Sequence, residues 1–230
     1  MAEALGRGTW YLDLGFPAPL GANAFVVDDG EVTLVDAGLP VGGPRLRREL
    51  GDAGVSVGDI DRVLLTHYDL DHVGGLSRLA GELDAPVYLG EADLGLLQGT
   101  WDPPWLHHKG LFHRGLRRVY RLPQSLDLRP VTDGDAVGGF RAHHTPGHNP
   151  GHTAWVHDSL GVALLGDLAW SKPGGLVTPI WLDSYDMGRL RASVRGFARR
   201  APPFEVVGVG HGEPLRSGGD AAVRDLAARC

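Results

Sequence analysis

Residues 66–75 read THYDLDHVGG, and within six positions they set two imidazoles, His67 and His72, and two carboxylates, Asp69 and Asp71. Imidazole nitrogen and carboxylate oxygen together suit borderline to hard divalent ions, whereas soft-metal sites need thiolates. The single cysteine is the last residue, Cys230, which excludes an intrachain disulfide and a cysteine-rich zinc module and leaves no plausible thiol nucleophile. More ligand-grade side chains follow. His148 and His152 lie in the turn of HHTPGHNPGHTAWV, Asp167 follows VALLG, His211 follows VVGVG, and Asp36 follows VTLV. Burying so many ionisable groups without partners is costly. The combined set of His67, Asp69, Asp71, His72, His148, Asp167 and His211 therefore reads as a metal centre.

The elements that must position these residues are short. Apolar, β-rich runs punctuated by glycine predict strands over 24–27, 32–35, 62–65, 86–89, 139–144, 154–157, 162–165 and 206–209. Helical patterns cover 43–51, 74–83, 91–98, 184–200 and 219–228, the last with Asp220 as its cap. Strands in pairs with helices between and after give a mixed α/β layout. Four of the apolar runs end on an ionisable residue, so if they are neighbours in a sheet, their C-terminal ends gather Asp36, His67, Asp167 and His211 at one edge. The segment 99–124 fits no regular element and carries two tryptophans and three histidines, which predicts a lid or an oligomer contact. Its His107, His108 and His113 either line an entrance or form an unstructured surface trio.

The 230 residues and 43% hydrophobic content are sized for a single domain, 1–230. A net charge of −6 argues against a nucleic-acid surface, which needs a basic excess. The basic clusters at 45–48, 114–121 and 189–200 read as solvated helix faces. No run approaches a membrane span and the N-terminus lacks the build of a secretory signal, so the expectation is a cytoplasmic protein with a small-molecule substrate, and a homodimer is one reading of the aromatic loop.

The segments LVDAG, THYDLDHVGG, HHTPGHNPGHTAW, LLGDLAW and VGHG resemble, in order and spacing, the five motifs of the metallo-β-lactamase superfamily, from about Asn23 to His211. The resemblance implies a four-layer αββα sandwich, two mixed sheets face to face with helices outside, and a binuclear site at one edge. One ion falls to His67, His148 and position 69, the second to Asp71, His72 and His211, with Asp167 bridging both opposite a water or hydroxide. Asp36 then fixes the ligand loop through hydrogen bonds, and His152 braces its turn. The departure is Asp69, where the family pattern His-x-His-x-Asp-His has histidine. A harder, anionic ligand there shifts preference from zinc toward manganese or iron. The activity implied is hydrolysis of an ester, lactone or thioester by an ion-activated hydroxide, with Asp71 orienting the nucleophile. Tyr68 either donates to an oxyanion or points away, since alternate residues of an extended stretch face opposite sides. An iron-dependent oxidoreductase and a non-catalytic binding module are the alternatives.

Overall fold

Alternation along the strands decides the layering. The structure, a computed structural model, describes residues 1–15 and 21–230. Strands β1 (Glu3–Gly6), β2 (Thr9–Leu12), β3 (Ala24–Asp28), β4 (Val32–Val35), β5 (Ile60–Leu64), β6 (Val87–Gly90) and β7 (Leu128–Val131) form one seven-stranded sheet in that spatial order. It is antiparallel through β4 and parallel from β4 to β7. The second sheet contains β8 (Ala136–Val137), β9 (Phe140–His144), β10 (Thr153–His157) and β11 (Val162–Leu164). Strands β12 (Trp170–Lys172) and β13 (Gly175–Val177) make a separate ribbon, and β14 (Val206–Gly208) completes the second sheet by pairing in parallel with β11.

Phe25, Val27, Val35 and Leu64 face one way and meet Phe140, Ala142, Trp155, Val162 and Leu164 of the other sheet. Trp155, fully buried, also donates its indole N–H to the Leu65 carbonyl across the sandwich at 3.1 Å. The alternate residues Val26, Leu34 and Val63 pack outward on helices α1 (Gly43–Asp52), α3 (Leu76–Leu79) and α4 (Glu91–Gln98), which supply Leu46, Leu50, Leu76, Leu79 and Leu94. One-turn helix α2 (Leu70–Val73) carries part of the ligand cluster, and α5 (His108–Val119) crosses above it. On the far side, Ala154, Val156 and Val207 pack on Leu190, Val194 and Phe197 of α6 (Met187–Arg200) and on Val223 and Leu226 of α7 (Gly219–Arg229). The result is the expected αββα sandwich. Each fully buried large apolar side chain contributes about 1.5–3 kcal/mol.

All eight expected strands are present, with ends shifted by a residue or two. Several expectations need correction. The span 74–83 is not one helix, because the chain breaks at Gly74 and Gly75 into the turns α2 and α3. Helix α6 starts at Met187, where Asp186 accepts from the Arg189 amide at 3.0 Å. Helix α7 is entered from Gly218 in the left-handed region, and Asp220 sits inside its first turn, paired with Arg224. The largest correction is 99–124, which contains the twelve-residue helix α5. Its inward face is Lys109, His113 and Leu116 at i, i+4 and i+7, while Leu111, Phe112 and Val119 are exposed, so hydrophobic periodicity points the wrong way. Strand β7 was not anticipated because Pro130 interrupts its pattern, a residue tolerated at the sheet's edge. Among the described residues no helix is long and apolar enough to cross a membrane.

Candidate metal centre

Two parallel strand pairs, one per sheet, end at the same edge. In the first sheet β4 leads to Asp36 and β5 to His67; in the second β11 leads to Asp167 and β14 to His211. The turn between β9 and β10 adds His148 and His152. Ligand atoms of His67, Asp69 and His148 lie within 4.8 Å of one another, as do those of Asp71, His72 and His211. Asp167 reaches both groups, at 3.6 Å from His148 Nε2, 3.3 Å from His211 Nε2 and 3.7 Å from His72 Nε2.

Asp36 organises this edge from outside it. Its φ of 59° lies in the left-handed region, unusual for a non-glycine residue and a frequent mark of functional turns. That conformation turns the buried carboxylate to accept from the Thr66 amide (2.9 Å), the Thr66 hydroxyl (2.7 Å) and His72 Nδ1–H (2.8 Å). With Nδ1 so engaged, His72 presents Nε2 to the cluster. His211 is oriented likewise by donating Nδ1–H to the Gly21 carbonyl at 3.0 Å. His152 takes no part in either trio. Its Nε2 accepts from the Asp167 amide at 3.1 Å and its Nδ1 meets the Thr145 hydroxyl at 2.8 Å, so it braces the turn and aims Asp167. Gly210 has to be glycine, because a Cβ there would collide with Asp167 Oδ1 and His72 Cε1.

The chemistry of the donor set fits a divalent ion at the Asp71–His72–Asp167–His211 corner. Among the described residues His72 Nε2 and Asp167 Oδ1 are buried without a hydrogen-bond partner, as is His67 Nε2 beside them. The separations there run from 3.3 to 3.8 Å, against about 3.4 Å between donors of a tetrahedral ion with bonds near 2.1 Å. In the ion-free protein burial opposes charge on His72, but Asp36, Asp71 and Asp167 outweigh it and push its pKa up to about 10. Burial likewise opposes the Asp167 carboxylate, yet His211 and His148 hold it well below the ordinary range. Burial raises Asp71, and it drives His67 well below the usual imidazole value.

Three residues of the site were not anticipated from sequence. Asp93 of α4 is fully buried and accepts from the amides of Tyr68 (2.8 Å) and Gly151 (2.6 Å), stapling the two ligand loops together. Asn149 donates to both Asp69 Oδ1 (3.0 Å) and Asp93 Oδ2 (3.1 Å). Lys109 of α5, 4% exposed, sets its Nζ 2.8 Å from Asp69 Oδ2 and 2.9 Å from His148 Nε2. Burial opposes the charge on Asp69, but Lys109, His67 and a hydrogen bond from His113 keep it well below the ordinary carboxylate range. His113 is thus no surface residue: it is fully buried, with Nε2 2.8 Å from Asp69 Oδ1 and Nδ1 2.7 Å from the Tyr185 hydroxyl. His107 caps α5 by accepting from the Gly110 amide. Tyr68 is not placed as an oxyanion donor. Its ring is 2% exposed, belongs to the core beneath α1, α3 and α4, and stacks on His113 at 5.5 Å.

Above the acids lies a cleft of about 370 Å³, with Leu39, Leu70, Phe112, Trp170, Ile180 and Leu182 as apolar walls and Asp69, Asp71, Asp167 and Asp183 among its polar lining. The family model described as the metallo-beta-lactamase superfamily matches residues 17–211. The chain belongs to that superfamily. It is 30% identical over 226 residues to the uncharacterized protein YobT of Bacillus subtilis, covering 90% of each chain. Among solved structures of the superfamily fold, it resembles the metallo-beta-lactamase family protein TTHA1429 from Thermus thermophilus (TM-score 0.72, 26% identity, 98% of this chain and 80% of that one). It also resembles TTHA1623 in a di-iron-bound form (TM-score 0.66, 29% identity, 94% of this chain and 96% of that one). In this metallo-beta-lactamase-fold chain α5 closes over Asp69.

Proposed function

We propose that the protein is a metal-dependent hydrolase acting on a small ester, lactone or thioester. The observation that carries this is the unpartnered ring nitrogen His72 Nε2 and carboxylate oxygen Asp167 Oδ1, buried among the described residues at the edge of an apolar-walled cleft within a metallo-beta-lactamase fold. Asp71, His72, Asp167 and His211 would hold a divalent ion, and His67, Asp69 and His148 form the adjacent group that the family pattern assigns to another. A divalent ion supplies, when bound, acidification of water and polarisation of a carbonyl. The chain's own groups do the rest. Asp71, whose side chain is one-fifth exposed and lines the cleft, orients the attacking water and accepts its proton. Leu39, Leu70, Phe112 and Trp170 shed water around an apolar acyl or ring group. Segment 99–124 serves as the lid: its helix α5 presents Phe112 to the cleft and Lys109 and His113 to Asp69.

The test is a panel of ester, lactone and thioester substrates assayed with metal-loaded protein, chelator-treated protein and Asp167→Ala. Turnover that vanishes on chelation, returns with zinc, manganese or iron, and is absent from the variant supports the reading. Turnover indifferent to chelation contradicts it. The di-iron-bound relative and the hard Asp69 ligand favour one second reading, an iron oxidoreductase. Visible absorbance of the isolated protein and substrate-dependent oxygen consumption would select it.

A further inference from the structure

Lys109 stands where a first ion would have to compete with it. An ammonium has three N–H donors, and all three find acceptors: Asp69 Oδ2 at 2.8 Å, His148 Nε2 at 2.9 Å and the Asp183 carbonyl at 2.8 Å. Asp69 and His148 are two of the three members of the first ligand group. They lie 3.1 Å apart, closing a near-equilateral triangle with Nζ. Any ion bonded at about 2.1 Å to both would therefore sit within about 4 Å of the ammonium. In a site this buried, a dication and an ammonium at that range repel strongly and compete for Asp69 Oδ2.

We propose that Lys109 takes the place of the first ion, so that the centre holds one divalent ion, at the Asp71–His72–Asp167–His211 corner. The swap of histidine for Asp69 and the presence of Lys109 are then two halves of one change. The carboxylate neutralises the ammonium, and the pair keeps His148 in position without a metal. The lysine is not a loose arm. Helix α5 is fixed on one side by His107, which caps it and reaches the Tyr185 carbonyl at 2.9 Å, and on the other by His113, which holds the second oxygen of Asp69. His67 remains available to the single ion, since its ligand atom also lies within 4.8 Å of those of His72 and Asp167.

The inference rests on the metal-centre reading above, and its test separates the two. Wild-type protein, Lys109→Met and Lys109→Arg are saturated with zinc or manganese, freed of unbound metal, and analysed for ions per chain, with circular dichroism to confirm folding. The expected result is one ion in the wild type and in Lys109→Arg, and two in Lys109→Met. Two ions in the wild type would overturn the inference while leaving the metallo-hydrolase reading intact. One ion in a folded Lys109→Met would also overturn it, by placing the exclusion on Asp69 alone. No ion in any of the three would overturn the metal centre and this inference together. Should Lys109→Met not fold, the single variants His148→Ala and His72→Ala decide the matter. Loss of the ion with His72→Ala and its retention with His148→Ala is the one-ion result, and loss of one of two ions with each is the two-ion result.

Discussion

Replacing Asp36 with asparagine isolates the group that aims the ligands from the ligands themselves. Asparagine keeps the size and tolerates the left-handed backbone that Asp36 adopts at φ 59°, so the change removes charge and one acceptor without adding strain. The carboxylate accepts three hydrogen bonds, one on Oδ1 and two on Oδ2. An amide can satisfy one side only. If its oxygen faces the Thr66 amide, its NH2 opposes His72 Nδ1–H; if reversed, it opposes the Thr66 amide. One buried donor is left unpartnered in either orientation, at a cost of about 1–3 kcal/mol in the stability of the metal-free protein. His72 also loses the carboxylate that fixes its ring, and removal of such an outer partner weakens metal binding by about 10–100-fold, equivalent to roughly 1.4–2.7 kcal/mol. Competition with a chromophoric chelator reads the affinity, and urea denaturation of the metal-free protein reads the stability. Wild-type affinity in Asp36→Asn would refute the role assigned to this carboxylate, whatever its effect on stability.

Other outcomes follow from single contacts. Tyr68→Phe leaves turnover unchanged, where loss of a true oxyanion donor would cost about 10²–10³-fold; steady-state kinetics on any accepted substrate decides. Trp155→Ala, which empties the centre of the sandwich and orphans the Leu65 carbonyl, lowers stability by about 3–5 kcal/mol, read by urea denaturation; a loss below about 1 kcal/mol would mean the sheets do not pack as described. His143 is held below its ordinary pKa of 6.5 by burial, against the opposing pull of Asp133. The unfolded chain therefore binds this proton more tightly, so the stability His143 contributes is present above about pH 6.5 and is lost as the pH falls. Thermal melts from pH 8 to 5 should show the advantage of wild type over His143→Leu shrinking with acid, and parallel curves would contradict the assignment.

The strand-exit pattern was legible because it rests on two local rules at once, an apolar run and an ionisable residue at its end, and both survive into the structure at Asp36, His67, Asp167 and His211. The order of the sheets brings β4 beside β5 and β11 beside β14, which is what turns four separate motifs into one edge. Helix α5 was illegible for a physical reason: a helix whose buried face is Lys109 and His113 buries polarity, and no periodicity of hydrophobic residues can announce it. A weaker signal was present, since Lys109 is one of only two lysines in a chain that otherwise uses arginine for its 22 basic residues. Lysine delivers its charge as a compact point, where arginine spreads it over a planar fork. Asp93 went unread because it accepts from backbone amides of distant loops, and Asn149 because it donates to carboxylates of other elements, partnerships that exist only after β6 and the β9–β10 turn have come together. Tyr68 shows the reverse, a residue made conspicuous by its neighbours whose alternation along the loop sends its ring into the core.

The most direct measurement is anomalous diffraction from crystals of the metal-loaded protein. The account predicts a peak at bonding distance, about 2.0–2.2 Å, from His72 Nε2, His211 Nε2 and the carboxylates of Asp71 and Asp167. A fully loaded crystal with no peak at that corner, or with density only at ligands elsewhere on the chain, would contradict it.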